Sequence, residues 1–60
     1  MRIITLEPEF PFTEVYSIEG ANGQRAIIIG NGFFYRVNFP ECRHAASLED
    51  LIKYLESEGF

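Results

Sequence analysis

The chain has 60 residues, of which 47% are hydrophobic and 15% aromatic, and it carries nine acidic residues against five basic ones. This composition is too rich in core-forming side chains for a disordered protein, and the net charge of −4 argues against a protein that binds nucleic acid over its whole surface. The length predicts a single small domain over residues 1–60, which buries only about 60% of the surface that its unfolded chain exposes. We expect such a domain to supplement its core with a disulfide, a metal ion or self-association.

The only cysteine is Cys42, so no disulfide can form within the chain and nothing indicates an oxidising compartment. The chain does not begin with a signal-peptide pattern, and its longest apolar run, from Ala26 to Ile29, is too short to span a membrane. We therefore expect a cytoplasmic protein, in which self-association is the supplement that the composition leaves open.

The first element is a short strand predicted from Met1 to Leu6, which ends before Pro8 and Pro11. The connection that follows contains two large apolar side chains, Phe10 and Phe12. We consider two interpretations of these phenylalanines. They cover an open end of the core, or they form a partner-binding edge.

Two Asn-Gly pairs, Asn22-Gly23 and Asn31-Gly32, predict two consecutive hairpins. Asn-Gly readily supplies the two positive φ angles of a type I′ turn, whose twist matches that of paired strands. The pairs therefore predict three antiparallel strands between about residues 13 and 39.

The two hairpins differ in predicted loop length. A two-residue turn at Asn31-Gly32 sets the register of the second hairpin, with Gly30–Phe33, Ile28–Tyr35 and Ala26–Val37 paired on one face, and Ile29–Phe34 and Ile27–Arg36 on the other. For the first hairpin we prefer a five-residue loop from Gly20 to Gln24 over a two-residue turn at Asn22-Gly23. The longer loop keeps one face of the sheet apolar and brings Glu19 opposite Arg25.

The last predicted element is a helix that begins after Ser47, a favourable N-cap residue. Its apolar residues follow the spacing of one buried stripe, namely Leu48, Leu51, Ile52 and Leu55, and Tyr54 broadens this stripe. Gly59 and Phe60 predict a Schellman-type end. The predicted fold class is α+β, with a three- or four-stranded antiparallel meander sheet and one C-terminal helix packed on one face (β-β-β-β-α).

The closest approach to a reactive pattern is Glu41-Cys42-Arg43-His44, in the predicted loop before the helix. A Cys-His pair suits a thiolate nucleophile or two metal ligands, but zinc sites need three or four protein ligands, and the chain has no second Cys or His. Glu49 and Asp50 are explained by the first turn of the helix, where acids are favourable. We therefore expect that the protein is not an enzyme and that it has no catalytic residue, metal or cofactor.

The strongest functional candidate is the sheet face that the helix does not cover. It carries the apolar Val15, Ile27, Ile29 and Phe34 together with the polar Arg25, Arg36 and Asn38. A solvated face is polar at most positions, so three explanations compete for this one. The first strand and the Phe10–Phe12 segment fold over it, or it binds another protein or a second copy, or it binds nucleic acid.

We predict a non-enzymatic binding module that acts through protein–protein contacts or self-association. A homodimer is one form that this self-association can take. We expect no contact with a membrane. The predicted partner-binding residues are Val15, Arg25, Ile27, Ile29, Phe34 and Arg36. The alternative is a nucleic-acid-binding module, in which aromatic rings of the same face stack on bases and its arginines contact phosphates.

No residue pattern identifies a family. The predicted order of three strands and a packed helix is topologically similar to integrase arm-binding domains, and this resemblance implies a sheet face that reads the major groove of DNA. The passage from Phe39-Pro40-Glu41 to Ser47-Leu48-Glu49-Asp50 resembles the strand-to-helix passage of HicB-type antitoxins. The second resemblance covers about a dozen residues, and neither assigns a functional residue.

Overall fold

The computed structural model describes residues 1–60. It contains the strands β1 (Arg2–Leu6), β2 (Glu14–Glu19), β3 (Arg25–Gly30), β4 (Tyr35–Val37) and β5 (Arg43–Ala45), followed by the helix α1 (Leu48–Ser57). The strands form one antiparallel sheet in the order β1-β2-β3-β4-β5, and α1 packs against β3, β4 and β5. The predicted α+β meander with a C-terminal helix is confirmed. The sheet has one strand more than predicted, because the segment around His44 pairs with β4.

The first hairpin has the predicted wide loop. Tyr16 lies opposite Ile28 and Glu19 lies opposite Arg25, and the backbone N–H of Gly20 donates to the carbonyl of Gln24 at 2.8 Å to close the loop. The five-residue loop and its register are therefore confirmed.

The second hairpin has a wider loop than predicted. Gly30 lies opposite Tyr35, so four residues form the loop, and the Asn31 side chain accepts hydrogen bonds from the backbone N–H groups of Phe33 and Phe34 at 3.0 and 2.9 Å. Gly32 is the only loop residue with a positive φ, whereas a type I′ turn needs two.

The predicted two-residue turn was therefore wrong, and so were the five pairs derived from it. The observed pairs are Gly30–Tyr35, Ile29–Arg36 and Ile28–Val37. Because the strand moves by two residues, and side chains alternate with a period of two, Tyr35, Arg36 and Val37 keep their predicted faces.

The core lies between the sheet and α1. Its buried side chains come from three strands and the helix, and they are Ile18, Ala26, Ile28, Tyr35, Val37, Leu51 and Leu55. Tyr16, Leu48, Tyr54 and Phe60 pack around this cluster. The first hairpin contributes Ile18 and Ile28 to the core, which explains why the wide loop is needed.

Both ends of α1 follow the sequence prediction. The Ser47 hydroxyl accepts a hydrogen bond from the backbone N–H of Asp50 at 3.2 Å. Gly59 adopts a φ of 90°, and the N–H of Phe60 donates to the carbonyl of Leu55 at 3.1 Å, which is the Schellman arrangement. With ten residues in α1, the protein has no helix of the length and apolarity that a membrane crossing requires.

Candidate functional site

The face of the sheet opposite α1, here called the outer face, is organised in cross-strand rows. Paired residues of neighbouring strands lie side by side on one face, so the register gives each row directly. One row crosses all five strands and contains Leu6, Val15, Ile29, Arg36 and His44. The next contains Ile4, Ser17 and Ile27, and the last contains Arg2, Glu19 and Arg25.

The N-terminal strand extends the outer face instead of covering it. β1 pairs with β2 at the edge of the sheet, so of the three explanations left open by the sequence, the one in which this strand folds over the outer face is excluded. The phenylalanines of the following connection behave differently from each other. Phe10 is 98% exposed and covers nothing, whereas Phe12 is 38% exposed and lines a hollow at the edge of the outer face.

Three of the four apolar residues predicted for partner binding, Val15, Ile27 and Ile29, lie on the outer face, and Phe34, in the loop before β4, lines a hollow together with Ile29. Ile27 is 48% exposed and Phe34 is 51% exposed. Val15 and Ile29 are half-buried because each has a neighbouring strand on both sides. The result is an apolar centre without a covering element.

The two predicted arginines are in different electrostatic states. Arg25 lies 3.5 Å from the Glu19 carboxylate, and Arg2 lies 3.9 Å from the same residue. Arg36 has no carboxylate within ion-pair distance, although each of the other four basic residues has one. Its Nε is buried and lacks a hydrogen-bond partner. A buried N–H without an acceptor is unfavourable, and the charge of Arg36 has no partner within the chain.

Arg36 borders a hollow of about 70 Å³, here called the Arg36 hollow, whose lining is Phe12, Ile29, Gly30, Asn31, Phe34 and Arg36 itself. The ring of His44 packs against that of Phe34, with 5.1 Å between their centroids. A second, wider hollow on the same sheet is lined by Arg25, Ala26, Ile27, Ile29, Asn38 and Phe39. Ile29 belongs to both, so the two hollows adjoin.

Three contributors to this site were missed by the sequence prediction. Leu6 and His44 follow from strand alternation only once β1 and β5 are known to join the sheet. Phe12 was recognised as unusual for a surface loop, but nothing in the sequence showed that it would line the same hollow as Ile29.

A polar cluster lies on the opposite side of the sheet, where Glu14 accepts hydrogen bonds from the hydroxyls of Tyr16 and Tyr35. These bonds lower the pKa of Glu14. The same cluster, through the bond to Glu14 first and desolvation second, raises the pKa of Tyr16 to about 12. The arrangement favours a charged Glu14 and a protonated Tyr16, and it suits a structural role.

The remaining chemical candidates are dispersed. Cys42 is exposed, His44 is engaged with Phe34, and no group of three or more His, Cys, Asp or Glu side chains is placed to hold a metal ion. Comparison with protein-family models, curated proteins and solved structures gave no match to this chain.

Proposed function

We propose that this protein is a binding module without enzymatic activity, which uses its outer face to hold another protein or a second copy of itself. The observation that carries the proposal is the open apolar centre of the sheet, where Ile27 and Phe34 are each about half exposed. Monomeric proteins rarely leave contiguous apolar patches open unless they bind something. Because its one cysteine is free and exposed, we place the module in the cytoplasm.

The composition of the outer face supports this proposal. Protein interfaces combine an apolar centre with a polar rim. Here the rows around Ile27 and Ile29 supply the centre, and the row of Arg2, Glu19 and Arg25 supplies a charged rim. Only eight of 60 residues are buried, so a partner on this face would add the apolar burial that a domain of this size lacks.

The test compares Phe34→Glu with Phe33→Glu, a matched control from the adjacent position. Phe33 is 85% exposed and lines neither hollow, so both variants should fold, as circular dichroism would show. We expect Phe34→Glu to lose self-association in sedimentation and to lose any copurifying protein, whereas Phe33→Glu keeps both. Retention of every interaction by folded Phe34→Glu would contradict the proposal.

A second candidate function is the binding of single-stranded nucleic acid. The observation that favours it is the packed pair of Phe34 and His44 rings beside the unpaired Arg36, since rings stack on bases and arginine contacts phosphate. Against it, Arg2 and Arg25 share one carboxylate. Fluorescence polarisation with labelled oligonucleotides decides between the two functions. Affinity that falls steeply with salt supports this candidate, and absence of binding at low salt removes it.

A further inference from the structure

The connection between β1 and β2 presents an exposed aromatic ring among acidic residues. Phe10 is 98% exposed, and a hydrogen bond of 2.9 Å from the backbone N–H of Phe12 to the carbonyl of Glu9 holds it in a turn. Glu7 and Glu9 are exposed and form no ion pair. Residues 7–10, here called the acidic arm, therefore offer carboxylates and a ring that the fold itself does not use.

The Arg36 hollow offers the complementary groups. It contains the one basic side chain without a carboxylate partner, and its walls include Ile29 and Phe34. A carboxylate beside Arg36 would give its guanidinium the charged partner that the chain does not supply, and an aromatic ring beside Phe34 would bury apolar surface on both sides.

We propose that the partner of the outer face is a second copy of this chain, in a two-fold symmetric dimer. The acidic arm of each copy lies in the Arg36 hollow of the other, with Glu9 against Arg36 and Phe10 against Phe34. This inference rests on the proposed function and names the partner for it.

Two observations favour a symmetric pair. Phe12 lines the hollow and follows Phe10 by two residues, so arm and hollow are neighbours on one surface, as a self-complementary interface requires. A stable interface buries at least about 600 Å² per partner, and this chain exposes 4055 Å² in all. We therefore place the rows of the outer face in the same interface as the arm.

The test measures the dimer dissociation constant by sedimentation equilibrium. Phe10→Ser cannot disturb packing, because the ring touches little of its own chain, and we expect it to weaken the dimer about tenfold or more. Glu9→Arg and Arg36→Glu should each weaken it about tenfold, and the double variant should return to within about threefold of wild type, since the charges are exchanged. Glu56→Arg and Lys53→Glu make the same charge changes on exposed positions of α1 and should leave the constant unchanged.

The outcomes separate this inference from the proposed function. If Phe34→Glu abolishes the dimer while Phe10→Ser and Glu9→Arg do not, the outer face is the interface and the arm is not its occupant. If both charge variants lose the dimer and the double variant does not regain it, the pairing of Glu9 with Arg36 is wrong. A wild-type chain that stays monomeric at millimolar concentration overturns self-association. The proposed function then stands only if a different protein is retained in a Phe34-dependent manner.

Discussion

Among single residues, Glu14 is the centre of a hydrogen-bonded cluster with two tyrosines. Its carboxylate accepts hydrogen bonds from the hydroxyls of Tyr16 and Tyr35, at 2.5 and 2.8 Å. The bond from Tyr16, followed by that from Tyr35, lowers the pKa of Glu14. The bond to Glu14 is also the main reason that the pKa of Tyr35 is raised. The cluster joins β2 to β4 across Gly30, which has no side chain to obstruct it.

This cluster predicts a loss of stability at both ends of the pH range. Because folding lowers the pKa of Glu14, its ionised carboxylate stabilises the fold at pH values above the ordinary pKa of 4.5. That stabilisation is lost as the pH falls through the folded-state pKa. The raised pKa of Tyr16 contributes stability below pH 10.0, and it is lost as the pH rises towards about 12. Urea unfolding across this range should show both losses, and Glu14→Gln should reduce them.

The titration of tyrosinate absorbance provides the control for that prediction. In Glu14→Gln a neutral amide replaces the carboxylate, so the pKa of Tyr16 should return towards 10.0. A tyrosine titration curve that is identical in wild type and Glu14→Gln would show that Glu14 does not control these hydroxyls.

Gly30 gives a second residue-level prediction. A Cβ at this position would overlap the ring of Tyr35, so Gly30→Ala should lower the free energy of unfolding by about 1–3 kcal/mol, the usual cost of overpacking. In a Tyr35→Ala background the ring is gone and the same substitution should cost much less. Urea unfolding of the four proteins measures the difference, and an equal cost in both backgrounds would contradict the explanation.

The strands and the helix differed in how far the sequence could predict them. The ends of α1 depend on local chemistry, a serine that accepts a backbone N–H and a glycine with positive φ, and these signals are visible in the sequence. Strand faces were predicted correctly because a register error of two residues preserves alternation. The width of the second loop was not predicted correctly, because it depends on how the Asn31 side chain bonds to the backbone and on where the ring of Tyr35 lies.

The candidate site was predictable to a similar extent. Apolar alternation in the sequence predicts that Ile27, Ile29 and Phe34 share one face. The register confirms that Ile27 and Ile29 share a face with Arg36. The position of β1 beside β2 was not predictable, because an edge strand and a covering strand have the same local sequence pattern. The exposure of Phe10 likewise depends on the turn that holds it.

The helix predicts a stabilising substitution at its C-terminal end. The last turn of α1 contains no basic residue, and Glu58 places a negative charge near the negative end of the helix dipole. Glu58→Lys should therefore raise the free energy of unfolding by about 0.3–1 kcal/mol at low salt. Asp50→Lys makes the same charge change in the first turn and should lower it. Thermal unfolding at low and high salt tests both, and equal effects of the two substitutions would contradict a dipole origin.

For the whole molecule, the two sheet faces together explain why association and stability should be linked. The helix side holds all the fully buried core, but it contains few side chains for 60 residues. The outer face also carries apolar side chains, and no element of the chain packs over its centre. A protein of this size that buries its second face in a dimer would gain stability from concentration, because a partner that binds only the folded chain stabilises it by mass action.

This linkage predicts that the melting temperature depends on protein concentration. Where the dimer is the folded species, a tenfold increase in concentration adds about 1.4 kcal/mol per dimer. With an unfolding entropy of about 2.1 cal/mol/K per residue, the melting temperature should rise by about 5 °C. Calorimetry of wild type and Phe33→Ser should show this rise, whereas Phe10→Ser, with its weaker dimer, should melt at a lower temperature than wild type at the same concentration. A wild-type melting temperature that does not change with concentration would mean that the fold is stable without its second face covered.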